Sequence, residues 1–188
     1  MKKQTNRRHA LVQAAAKLFY KNGYERSTVR ELAQDVGIQS GSLFHHFETK
    51  EDILFAVMEE VILRITGRLW MASQKPEDPK EKIRLLIKTE LQAILGDAHD
   101  AMYVMVYEWG SLSPQKSKEI LKLRNVYESI WREALNEGKD AGLIQHDTFV
   151  LRRFLTGAMS WTIFWYEPGG KMDLDTLVEQ ALLLVMKV

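Results

Sequence analysis

Apolar residues recur at intervals of three and four along most of the chain, the spacing that gathers them on one face of an α-helix. Leu11, Ala14, Ala15, Leu18 and Phe19 form the inner stripe of a helix expected over 7–21, which Gly23 ends. Thr28, with Glu31 three residues on, is a capping box opening a helix that carries Leu32, Ala33 and Val36. Gly37 ends that helix in the left-handed conformation that costs glycine least. A short helix is expected over 39–45, with Leu43 and Phe47 as inward anchors. A second capping box, Thr49 with Asp52, opens a long helix over 50–73 whose apolar residues span two faces.

Pro76 and Pro79 then mark a boundary, with Asp78 capping and Pro79 at a first helical position. Further helices are expected over 79–95, 98–109, 114–139 and 147–166, with a last helix starting at Asp173, punctuated by Gly96, Ser113-Pro114, Gly142 and Pro168-Gly169-Gly170. No stretch alternates with a strand's period. The expected fold is all-α, with nine helices: an N-terminal three-helix unit over 1–48 and a helical body over 49–188. Residues 1–6 are expected to be a mobile tail.

Composition describes an ordinary globular chain, 188 residues long and 46% apolar, able to bury a core. It has no cysteine, which excludes disulfides and thiolate metal sites and fits a reducing cytoplasm. The longest uncharged apolar run, Phe154 to Tyr166, has 13 residues and is too short to span a bilayer. No apolar signal-peptide core follows the basic start. Charge is uneven. Residues 1–30 carry eight Lys or Arg against Glu25 alone, a net +7, whereas the remainder carries −6. A basic end on an acidic body suits a polyanion at that end, and equally a solvated basic tail.

No nucleophile elbow, phosphate-binding glycine loop or paired catalytic carboxylates stand out, so no enzyme, catalytic residue or cofactor is expected. His45-His46 invites a metal reading, but adjacent helical residues point about 100° apart, and no spaced ligand cluster supports them. No metal is expected. The positive signal lies elsewhere. Two short helices joined by a turn containing Gly37 make a helix-turn-helix, whose second helix can enter a DNA major groove. Gln39, Ser40 and Ser42 place donors on its first turn. Gln39 and Ser40 are candidates for base edges, or else for helix caps. Thr28, Arg30, Ser42, Phe44, His45 and Lys50 are candidates for contacts to the DNA backbone, which fix register without reading sequence. Arg7 and Arg8, with Lys2 and Lys3, are placed to meet flanking phosphates or the minor groove.

The run from Ala14 to Phe19, Gly23-Tyr24, Thr28, Leu32-Ala33, Gly37, Gly41, Leu43, His46-Phe47, Lys50-Glu51 and Leu54 forms one ungapped block over 8–54. It resembles the DNA-binding segment of the tetracycline-repressor (TetR) family of bacterial regulators. Two positions depart from the family pattern: Gln39 replaces a small capping residue, and Phe44 replaces a tyrosine, removing a hydroxyl donor to phosphate. The resemblance implies that His46 packs under the reading helix while His45 points outward. It also implies a small effector bound in the body, a homodimer built on the last two helices of each subunit, and an inverted-repeat operator.

Trp70, Met102, Tyr103, Met105, Tyr107, Trp109, Trp131, Phe154 and Trp161 are candidates for the effector pocket, where adaptable methionines and broad aromatics suit a large apolar ligand. At helical spacing the same residues also suit an ordinary core. Val150, Phe154, Gly157, Ala158 and Trp161 mix small and large residues as a close helix interface does. Leu174, Leu177, Val178, Ala181, Leu182 and Val185 give the final helix a broad apolar face for the same interface. Arg152 and Arg153 sit in an otherwise apolar helix, where one is a candidate to pair with an acidic ligand group, or else both lie at a surface or interface. The run Trp161 to Gly170 resembles family members that sense acyl-CoA thioesters, and a multidrug-type pocket would be similar. The expected function is a ligand-released repressor in which the 50–73 helix is the lever. A DNA-binding activator or a constitutive binder is the alternative.

Overall fold

Helix boundaries follow the start and stop signals closely. The computed structural model describes residues 2–75 and 77–187, with side chains from Arg7 onward. It contains α1 (Lys2–Asn22), α2 (Val29–Asp35), α3 (Ser40–Leu43), α4 (Lys50–Ser73), α5 (Pro79–Leu95), α6 (His99–Tyr107), α7 (Pro114–Asp140), α8 (Thr148–Trp161) and α9 (Leu174–Leu183). Short 3-10 turns lie at Trp109–Ser111 and Thr162–Phe164. Among the described residues there are nine α-helices and no strand. Pro76 and the side chains of Lys2 and Lys3 lie outside the described residues.

Both capping boxes form. Thr28 Oγ1 accepts from the Glu31 N–H at 3.1 Å, and Glu31 accepts from the Thr28 N–H at 2.7 Å. Thr49 and Asp52 repeat the exchange at 3.1 and 2.8 Å. Asp78, Asp147 and Asp173 cap α5, α8 and α9. Gly23 and Gly37 take φ of +79° and +68°, which only glycine adopts without strain. Three boundaries differ from expectation. α1 begins at Lys2, so residues 2–6 of the stretch read as a tail are helical backbone. α3 is a single turn, because the His46 and Phe47 amides fold back onto the Leu43 carbonyl at 2.9 and 3.1 Å. α8 gives way to a 3-10 turn at Thr162, whose hydroxyl donates to the Met159 carbonyl at 2.6 Å.

The chain forms two compact units. The first comprises residues 1–61 and 100–122. Its core holds Leu11, Val12, Ala15, Phe19, Leu32, Ala33, Leu43, Phe47, Leu54 and Met58, all buried. This division differs from the expected boundary after residue 48. The start of α4 and residues 100–122 join the N-terminal helices, and polar contacts show why. Glu51 accepts from the Ser113 N–H at 2.7 Å at the head of α7, Lys116 donates to Asp52, and Glu108 accepts from the Tyr24 N–H at 3.0 Å. These partners lie more than sixty residues apart, out of reach of any local pattern.

The second unit comprises residues 62–99 and 123–188. α5 buries Ile83, Leu86, Ile87, Leu91 and Ile94, and α9 packs along it through Leu177, Val178 and Leu182. Lys88 donates to Asp175 at 2.6 Å along the same seam. The assignment of the whole apolar face of the last helix to a dimer interface is therefore corrected. Leu177, Val178, Leu182 and Val185 are buried inside the subunit, and the exposed apolar residues there are Leu183 and Leu184. Arg152 is a second correction: it is 5% exposed, not at a surface, because the buried Glu90 and the half-buried Glu128 pair with it. Arg153 is exposed, over the Phe149 ring. No described helix is long and apolar enough to cross a membrane.

Candidate functional site

The reading head is built on a one-turn helix pinned from below. Leu43 and Phe47 are buried, at 0% and 4% exposure, which turns the opposite face of α3 outward. Gln39, Ser42, Phe44 and His45 are exposed on it, and Ser40 is half-buried. Gln39 sits at the N-cap position, yet its side chain makes no cap hydrogen bond. Of the two readings of Gln39, the cap is thus not the one adopted. Its amide is exposed, with donors and an acceptor suited to an adenine edge. His46 is half-buried and lies 6.5 Å from the Phe47 ring centroid.

The residues expected to meet the DNA backbone surround this face in different states. Arg7 and Arg30 are exposed. Arg8 lies over the Phe47 ring at 5.2 Å, a cation–π contact that orients it. Lys50 sits 4.2 Å from the Tyr24 ring centroid and donates to the Glu25 carbonyl at 3.2 Å. It therefore braces the turn between α1 and α2 as well as opening α4. The Thr28 hydroxyl donates to Glu31 at 2.8 Å. Hydrogen bonds from the Thr28 hydroxyl and N–H hold the Glu31 carboxyl below its ordinary pKa. The neighbouring turn is fixed from the other side by Glu108, and burial pushes the Tyr24 hydroxyl upward. Glu108 and Lys116 were not singled out from sequence, and Ser113 was read only as a helix start. Glu51 carried a signal only as part of the family block.

The effector-pocket candidates fall into both units. In the first, Met102 and Met105 are buried. Tyr103 stands 5.0 Å from the Tyr20 ring and 4.7 Å from Tyr107, and Trp109 opens a 3-10 turn. In the second, Trp131 is fully buried, whereas Trp70, Phe154 and Trp161 are 58%, 74% and 59% exposed. Trp131 donates to Glu90 at 2.7 Å, within a buried polar group that also holds Arg152 and Tyr127. A carboxylate at 90 on the stripe of Ile83, Leu86, Ile87, Leu91 and Ile94 was the sequence signal for that group, and it was missed.

The dimer candidates on α8 stay together. Val150, Phe154 and Ala158, with Leu184, line an open apolar groove of about 580 Å³. A Cβ added at Gly157 would meet nothing within 4 Å. Leu174 and Ala181 are half-buried on α9.

Comparison with known proteins agrees with this geometry at both ends. Residues 11–57 match the family described as bacterial regulatory proteins, tetR family, and residues 76–188 match the tetracyclin repressor-like C-terminal domain. The HTH-type transcriptional repressor KstR2 of Mycolicibacterium smegmatis is 31% identical over 186 residues, covering 96% of this chain and 89% of the relative. The fatty acid metabolism regulator protein of Bacillus subtilis is 26% identical over 189 residues, covering 99% and 97% of the two chains. The crystal structure of PfiT, described as a superantigen, is 50% identical, covers 96% of each chain and superposes with a TM-score of 0.82. With both halves matched and a repressor similar along nearly all its length, the chain belongs to the TetR family of helix-turn-helix transcriptional regulators and is not an enzyme.

Proposed function

We propose that the protein is a homodimeric repressor that binds an inverted-repeat operator and releases it when a small, lipid-like effector binds the body. The observation that carries the DNA-reading part is Gln39. An uncapped, exposed amide stands at the tip of a helix whose other face is buried by Leu43 and Phe47. Gln39 and Ser40 take base edges, while Arg7, Arg8, Arg30, Ser42, Phe44, His45 and Lys50 position the phosphates. Thr28 reaches a phosphate only by sharing the hydroxyl that now serves Glu31.

Dimerisation is supported by the exposed apolar face of α8. Val150, Phe154 and Trp161, at 47%, 74% and 59% exposure, are too large a contiguous group to leave in water. Gly157 among them permits close approach of a partner helix. A two-fold dimer sets its reading helices about 34–36 Å apart, one turn of DNA. The effector acts through its preference for one conformation over another. Helix α4 carries residues of both units, and residues 100–122 are fastened to the head through Glu108, Ser113 and Lys116. These are the elements through which a change in the body reaches Gln39.

The lipid-like class of effector is supported by the similarity to a regulator of fatty acid metabolism. The superantigen description belongs to that relative. For this chain the exposed polar face of α3 favours duplex DNA as the partner. Sequencing the DNA that the purified protein selects from a random pool tests the reading. An inverted repeat enriched at two half-sites one turn apart is expected, and an unenriched pool at low ionic strength refutes it.

A further inference from the structure

Arg152 stands on the buried stripe of α8, between two aromatic rings. Its guanidinium lies 4.3 Å from the Trp131 ring centroid and 5.3 Å from that of Tyr127. Nε donates to Glu128 at 3.1 Å. Nη2 donates to the Tyr127 hydroxyl at 2.7 Å, and to Glu90 and Glu128 at 3.4 Å each. Glu90 is 1% exposed and also accepts from Trp131 Nε1. Burial works against the charge on Arg152, but Glu90, Tyr127 and Glu128 outweigh it and the guanidinium stays protonated. The remaining nitrogen, Nη1, is buried and has no acceptor among the described residues. Its two N–H groups are buried donors, and leaving them unmet is destabilising.

The local charge selects what that something is. Glu90 and Glu128 together outnumber the single guanidinium, so a further full negative charge is repelled and a neutral oxygen is accepted. One turn away on α5 and α8, Ile87, Ile94 and Leu155 are buried and apolar, so the polar group is set among hydrocarbon side chains.

We infer that Arg152 Nη1 is the polar anchor of the effector site and takes the neutral carbonyl oxygen of a lipid-like ketone, ester or thioester. This rests on the reading of the protein as an effector-released regulator. The test titrates the full-length protein with 2-decanone, decanoate and decane, following tryptophan emission and the thermal midpoint. The ketone is expected to bind at least about tenfold more tightly than the other two. That preference is expected to vanish in Arg152→Lys, which keeps a charge for Glu90 and Glu128 but lacks Nη1. If that variant does not fold, the Glu90→Gln/Arg152→Gln pair, which removes both charges together, takes its place. Equal affinity for all three probes, binding of none, or a preference that survives both substitutions overturns the assignment and leaves a buried water as the partner of Nη1. Operator binding without any probe is measured in parallel. Its loss tells against the regulator reading, whereas intact operator binding with no ketone preference tells against Arg152 alone.

Discussion

Replacing Phe154 by serine tests the two-fold assembly directly. The ring is 74% exposed in the single subunit, so it contributes little to that subunit's own core. An aromatic side chain of about 200 Å² exposed to that degree offers roughly 150 Å² to a partner. At about 25 cal/mol per Å², its full burial is worth roughly 3–4 kcal/mol. Ordering of the ring and incomplete burial reduce this by about half, to roughly 2 kcal/mol per subunit. Symmetry introduces the change twice, so the dimer is expected to lose about 4 kcal/mol, close to a 1,000-fold rise in its dissociation constant. Sedimentation equilibrium over a wide concentration range measures that constant, and far-ultraviolet circular dichroism checks that the helices persist. Phe154→Ser should also weaken operator binding, because a single reading head holds only half a site. A serine variant that dimerises as tightly as the parent, with its helices intact, would show that the α8 groove is not the interface.

Four further outcomes are expected. Gln39→Ala relaxes sequence preference at one base position by about 1–3 kcal/mol, as read from relative affinities across single-base operator variants; a uniform loss over all variants would make Gln39 a positioning residue. Lys50→Ala weakens every duplex alike and lowers the slope of affinity against salt by about one, measured by gel shift at several ionic strengths. Glu108→Ala leaves the Tyr24 amide without its acceptor, and native-state hydrogen exchange there should speed up by about tenfold, or ~1.4 kcal/mol, with Glu108→Gln intermediate; unchanged protection would remove Glu108 from the coupling. Acid titration reports on α4. The Ser113 N–H lowers the pKa of Glu51, and Lys116 lowers that of Asp52, so below the ordinary carboxylate range the unfolded chain binds more protons than the folded one. Stability from these groups is present at neutral pH and is lost as pH falls below that range, through the lowered values of the folded state. Glu51→Gln with Asp52→Asn should flatten the acid limb of a denaturation series.

Much of the fold was legible locally because helix ends are local events. Thr28 with Glu31, Thr49 with Asp52, and Asp78, Asp147 and Asp173 each satisfy amides within three residues of themselves, so spacing alone places them. α3 was read as longer than it is, because Leu43 and Phe47 are spaced like helical neighbours although the chain tightens between them. The outward face of the reading head was legible for the same local reason: once Leu43 and Phe47 turn inward, Gln39, Ser42 and His45 must turn outward.

The body was less legible, since an apolar stripe states that a face is buried but not against what. Leu177, Val178 and Leu182 looked like an interface with another subunit and are instead the seam against α5. Phe154, Val150 and Trp161 carry a similar hydrophobic signal and remain exposed. Arg152 was read as a surface or interface residue and Glu90 was not singled out, yet folding brings them within 3.4 Å of each other, 62 residues apart in the chain. The chain's own pattern therefore determined the helices, their caps and the polar face of α3, all products of interactions spanning a turn or two. Tertiary structure alone decided which apolar faces close on each other and which charged groups become buried partners, because those energies depend on neighbours that no local spacing specifies.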